Sequence, residues 1–179
     1  MHKILLLAAL LGGSASTWAR PIEKTTAKNA VYLDILGVGG YYALSYERQI
    51  LERNRFAMGA RIGITSYEFR DFNDKFNPDL IVPLSINAYY GNVHHVELGI
   101  GPTLSSVVKA HPFKFTPTRD LLVNVHMQVG YRYQKPGGGF LFRIGYTPYI
   151  QAFRITHLQF IKPTSTLRHW GGISVGYTF

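Results

Sequence analysis

From Asn29 onward, apolar and polar residues alternate with a period of two. That period predicts strands carrying one apolar and one polar face. Val123, Val125, Met127, Val129, Tyr131 and Tyr133 share one side of a stretch whose other side holds Asn124, His126, Gln128, Gly130 and Arg132. Phe56, Met58, Ala60, Ile62 and Ile64 likewise oppose Ala57, Gly59, Arg61, Gly63 and Thr65, and Phe140, Phe142, Ile144 and Tyr146 oppose Leu141, Arg143, Gly145 and Thr147. Eight such segments are predicted: Asn29–Leu36, Tyr41–Gln49, Arg55–Thr65, Leu80–Tyr90, His94–Thr103, Leu122–Gln134, Phe140–Ile150 and Trp170–Phe179. None of the chain in this region carries sustained helical periodicity.

The connections alternate in length. Ile50–Asn54, Gly91–Val93 and Lys135–Gly139 are short and hold turn chemistry, whereas Ser66–Asp79, Leu104–Leu121 and Gln151–His169 are long. Gly37 to Gly40 forms a tight hairpin between the first two strands, with no helix after it to make a nucleotide loop. Short turns alternating with long loops predict an all-β, closed, antiparallel transmembrane β-barrel of about eight strands, with both termini in the periplasm. The last strand fits: Ile173, Val175, Tyr177 and Phe179 lie on one face. On the apolar face, Tyr46, Phe56, Tyr90, Tyr133, Phe140, Tyr177 and Phe179 cluster at the short-turn ends, as an interfacial girdle requires. Tyr42, Tyr146 and Trp170 form a sparser set at the other end. Pro83, Pro102 and Pro148 sit toward the long-loop ends, where a missing ladder donor is tolerated.

Residues 1–19 read as a secretory signal peptide: a basic start, an apolar run from Ile4 to Leu11, and small residues before Arg20. Residues 20–28 are then a short periplasmic segment and 29–179 the barrel. The apolar run is too short to span a bilayer as a helix, so any crossing must use strands. With no cysteine, the chain is held by backbone pairing and packing alone. The net charge of +9 is compatible with nucleic acid, anionic lipid or lipopolysaccharide phosphate. Export, and the lack of any basic run or recognition helix, argues against nucleic acid.

On the inward face, Glu47, Glu97, Arg132 and Arg143 are expected to share one layer near the short-turn end, with Asp34 and Arg61 as a second pair above them. In so narrow a barrel, buried charges must be paired, which predicts a polar plug. His126 faces inward but has no serine at a neighbouring inward position of its strand to activate. His94 and His95 flank one turn, too little for a metal site, so neither metal nor cofactor is expected. The long loops hold Lys109, Lys114, Arg119, Arg154, Lys162 and Arg168 with few acids, a bias suited to lipopolysaccharide phosphates.

Asn29-Ala-Val-Tyr-Leu-Asp-Ile-Leu-Gly37, Tyr42-Ala-Leu-Ser-Tyr-Glu-Arg48, His95-Val-Glu-Leu-Gly-Ile-Gly101, Gly130-Tyr-Arg-Tyr-Gln134, Phe142-Arg-Ile-Gly-Tyr-Thr-Pro148 and the terminal Trp170-Gly-Gly-Ile-Ser-Val-Gly-Tyr-Thr-Phe179 together resemble a family of small outer-membrane β-barrel proteins of Gram-negative bacteria. The resemblance runs over nearly all of the chain beyond the signal peptide. It implies the barrel fold and supplies no catalytic residues. The expected function is that of a non-enzymatic integral outer-membrane protein, acting in envelope structure or surface contact through its basic loops, with membrane lipids and lipopolysaccharide as partners. A lipid A-modifying enzyme and a narrow passive pore stay open as alternatives; bulky inward Tyr32 and Tyr89 weigh against the pore.

Overall fold

The computed structural model describes residues 24–71, 73–111, 114–154, 159–160 and 167–179. The segment read as a signal peptide, residues 1–19, lies outside the described residues, as does Lys162. Ten strand segments follow one another: β1 (Asn29–Leu36), β2 (Tyr42–Arg53), β3 (Phe56–Ile64), β4 (Leu80–Gly91), β5 (His94–His111), β6 (Lys114–Gln134), β7 (Gly139–Tyr146), β8 (Tyr149–Arg154), β9 (Gln159–Phe160) and β10 (Gly171–Thr178). Each of β1 to β6 pairs antiparallel with the next, β6 pairs with β7, β7 with β10, and β10 with β1, which closes the sheet. β7 and β8 both pair with β6, at Val129–Gln134 and Leu122–His126 respectively, so they are two parts of one stave. The barrel wall therefore has eight staves and closes on itself.

Three departures from the sequence reading have physical causes. The predicted continuous strand Phe140–Ile150 breaks at Thr147 and Pro148; the proline has no N–H for the ladder, although its carbonyl still accepts from Met127 N–H at 3.0 Å. A register shift between Val123 and Asn124 against β8 changes the local alternation, and Val123, expected on the outer face, is buried. Leu104–Leu121, read as a loop, is strand: Leu104↔Val123 through Lys109↔Thr118 continue the β5–β6 ladder into a long hairpin. The period-two signal weakens there because Ser105, Ser106, Val107 and Val108 do not alternate in polarity.

Alternation otherwise sets the two faces. Leu33, Leu44, Ile62, Leu98, Ile100, Met127 and Ile144 are exposed on the outer wall, while Tyr32, Ala43, Ser45, Asn87, Glu97 and Leu141 are buried inside. Aromatic residues line up across strands near the short turns. Tyr46, Val31, Tyr177 and Phe140 form one cross-strand row, and Phe56, Tyr90, Val96 and Tyr131 another. At this end the chain before β1 crosses the mouth: Thr26 and Ala27 N–H both donate to Pro136 C=O in the β6–β7 turn, and Thr25 N–H donates to Glu52 Oε1.

At the opposite end, the turn of the first hairpin bends over the lumen. Leu36, unusually for its type, takes a φ of 62° and Gly37 a φ of 91°, conformations that turn the chain sharply inward. Thr103 Oγ1 on β5, four staves away, donates to Val38 C=O at 3.3 Å. Tyr67, from the β3–β4 connection, donates its hydroxyl to Gly39 C=O. Partial burial raises that hydroxyl above the ordinary tyrosine range, so it stays protonated as a donor.

Candidate functional site

All eight staves send polar side chains into one lumenal network. Arg132 on β6 and Arg143 on β7 stand directly opposite each other across the ladder, a like-charge pair that is unfavourable alone. Two carboxylates resolve it. Arg143 forks onto Glu97 of β5, with Nε to Oε2 at 2.9 Å and Nη2 to Oε1 at 2.7 Å. Arg132 Nη1 donates to Glu47 Oε1 at 2.5 Å and lies 3.4 Å from Glu97 Oε1. Glu47 arrives from β2, on the far wall of the barrel, so this contact ties opposite staves together.

Neighbours fill further valences, although Arg143 Nη1 and Asn87 Oδ1 stay without a hydrogen-bond partner among the described residues. Glu47 Oε2 accepts from Tyr32 hydroxyl at 3.0 Å and from Asn87 Nδ2 at 2.7 Å, and Arg132 Nε donates to Gln134 Oε1 at 2.7 Å. The guanidinium of Arg132 lies 4.3 Å from the centre of the Tyr89 ring. Tyr32 is flanked by Arg143 at 4.8 Å and Arg61 at 5.5 Å, so its ring separates two cations while its hydroxyl holds an anion. Small residues make room: a Cβ on Gly59 would come 2.8 Å from Glu47 Oε1, and one on Gly176 would run into Tyr32.

Asp34 and Arg61 form the layer above. Their ion pair is 2.6 Å long, and Asp34 also accepts from Ser45 and Ser174 hydroxyls, each at 2.6 Å. Three buried carboxylates thus face three buried guanidiniums, an arrangement that neutralises the lumen and satisfies the acids from several staves at once. Voids at the two ends of this column measure about 20 Å³ near Tyr89 and His95 and about 10 Å³ near Asp34 and Gln128, space for a water molecule and not for a passage.

The structure therefore brings the six inward charged residues into two touching layers. Sequence parity places each of them inward, as it does Tyr32 and Tyr89, while Asn87, Gln134, Ser45 and Ser174, which complete the network, are not among the residues the sequence singles out. Their inward parity was the available signal. His94 and His95 point to opposite faces, the first against Tyr131 and Tyr133 outside, the second against Tyr89 inside. Of the basic loop residues, Lys109 lies on β5, Lys114 on β6 and Arg154 on β8, and Arg168 is exposed. Arg119 is tied down: its guanidinium donates to Ser106 Oγ and Pro78 C=O, both at 3.1 Å, and to Asn77 Oδ1.

No family model and no curated protein matches the sequence. Among solved structures, the chain is similar to the crystal structure of the N-terminal beta-barrel domain of Pseudomonas aeruginosa OprF, at 10% sequence identity and a TM-score of 0.50, over 85% of this chain and 96% of that one. A likeness at that identity is one of fold, and the fold is a closed, eight-stranded antiparallel barrel.

Proposed function

We propose that this chain is a non-enzymatic integral outer-membrane protein whose sealed barrel serves envelope structure and surface contact. One observation carries the reading: the barrel is apolar outside and charged inside. Leu44 is 55% exposed and Leu98 55% exposed, while Arg132 and Glu97 are 1% and 0% exposed. A water-soluble domain avoids a continuous apolar surface around its whole circumference, whereas hydrocarbon is the matching neighbour for it. The aromatic rows near the short turns fit the interface between that hydrocarbon and water. A lumen filled by ion-paired side chains supports a structural element over a pore.

The test joins cell fractionation, gel mobility and conductance. The protein is expected in the outer-membrane fraction, with a mobility shift between unboiled and boiled samples in detergent and no steady conductance in planar bilayers. Recovery in the soluble periplasm without a heat-dependent shift overturns the reading.

The basic residues of the long hairpin and the loops beyond it extend the proposal to lipopolysaccharide. Since Arg119 is engaged within the protein, contact with phosphates falls to Lys109, Lys114, Arg154, Lys162 and Arg168. Replacing these five by glutamine is expected to weaken salt-sensitive binding to purified lipopolysaccharide; unchanged binding removes this part of the proposal.

A further inference from the structure

Above the ion-paired column, the long-hairpin end of the barrel holds a cavity of about 350 Å³. Its volume lies at the lower end of the range of about 300–1,000 Å³ for small-molecule sites. The floor is polar, with Thr103, Ser105, Asn124 and His126, and the wall and rim include Tyr41, Tyr67, Tyr149, Trp170 and Arg168. No acidic side chain is among the described residues that line it.

The chemistry of the floor is set by one hydrogen-bond chain. Thr103 Oγ1 lies 3.3 Å from Val38 C=O and 3.0 Å from His126 Nδ1, contacts that together orient the imidazole. Nδ1 is thereby engaged, and Nε2 is the ring nitrogen left over. His126 is 2% exposed, and among the described residues Nε2 has no partner. A buried ring nitrogen without a partner is costly, and a ligand hydroxyl, which can donate or accept, would relieve that cost on entering the cavity. The aromatic wall is ordered: Tyr41 meets Trp170 with ring centres 6.3 Å apart and Tyr67 at 5.4 Å, both edge to face. Aromatic faces are electron-rich and receive the weakly positive C–H edges of a saturated ring.

We propose that this cavity binds a single sugar unit, an acidic one in preference to a neutral one. Hydroxyls meet His126, Asn124 and Ser105, the ring packs on the aromatic wall, and an anionic substituent meets Arg168 at the rim. A purely apolar ligand would strand the floor, and a cationic ligand would face Arg168 with no carboxylate in the lining to offset it. The inference rests on the cavity alone and stands apart from the membrane reading.

The chain has two tryptophans, so full-length protein carrying Trp18→Phe reports on Trp170 by its fluorescence. Folded in a detergent without sugar headgroups, it is titrated with glucuronate and with glucose. A saturable change in emission is expected with both, at a Kd of about 1 mM for glucuronate and several-fold weaker for glucose. His126→Phe is expected to weaken both by about tenfold, and Arg168→Gln to bring glucuronate to the level of glucose while leaving glucose unchanged. Absence of a saturable change with either sugar overturns the proposal, as does a change that both substitutions leave intact. If His126→Phe loses the heat-dependent mobility of a folded barrel, Arg168→Gln at the exposed rim decides alone.

Discussion

Glu97→Ala is expected to destabilise the folded barrel by about 3–5 kcal/mol, the cost of removing one partner from a buried ion pair. Glu97 is fully buried and accepts both arms of the Arg143 fork, at 2.9 and 2.7 Å. Arg143 cannot turn to another carboxylate at close range: its remaining acidic neighbour is Glu47, with Nη1 to Oε2 at 4.0 Å, and Glu47 is already held by Arg132, Tyr32 and Asn87. Arg132 and Arg143 would then repel each other across the ladder in a place water scarcely reaches. The double substitution Glu97→Leu with Arg143→Met removes charge as well as counter-charge. It is expected to be closer to the natural protein than Glu97→Ala, because a buried pair replaced by apolar groups of similar size is often close to neutral. The measurement is the denaturant midpoint of each variant folded in the same detergent, with heat-dependent mobility to confirm a closed barrel. Equal destabilisation by the single and the double substitution would show that packing, and not charge pairing, governs this layer.

That network marks the boundary of what the sequence discloses. A strand's parity is local, so the inward position of Glu47, Glu97, Arg132 and Arg143 follows from counting by twos from neighbouring apolar residues. Which inward residues meet across the lumen depends on how far each stave slides against the next, and on the sum of those slides around the circle. No local pattern records that sum, so Glu47 reaching Arg132 from the opposite wall and Tyr32 lying between Arg61 and Arg143 were beyond reach. The short turns show the same limit. Ile50 to Asn54 contains polar and charged residues and reads as a turn, yet β2 runs on to Arg53 through a register shift between Gln49 and Leu51, and Asn54, with a φ of 56°, makes the actual reversal. The cavity was hidden for a third reason. It is assembled by a turn bending inward, by the β3–β4 connection bringing Tyr67, and by Trp170 before β10, three segments that share no periodicity.

Leu33→Arg is expected to destabilise the protein in a bilayer by about 2–4 kcal/mol, the range for a basic side chain near the midplane of a lipid-facing barrel wall. Leu33 is 45% exposed and sits between Val175 and Leu44 in register, midway between the aromatic row of Tyr46, Tyr177 and Phe140 below and Tyr42 above. It contributes nothing to the lumenal network, so the substitution leaves every buried ion pair in place. In water the same exchange would replace an exposed apolar side chain with a solvated one, and a surface change of that kind stays within about 0.5 kcal/mol. The environment outside the wall therefore decides the size of the effect. The measurement is unfolding by denaturant of protein folded into phospholipid vesicles, with Lys28→Gln as the companion change on an exposed residue just before β1. A large loss for Leu33→Arg beside a small one for Lys28→Gln is the result that a lipid-facing wall requires. Two equally small losses would mean that the apolar wall does not face hydrocarbon, and the membrane assignment would fall with it.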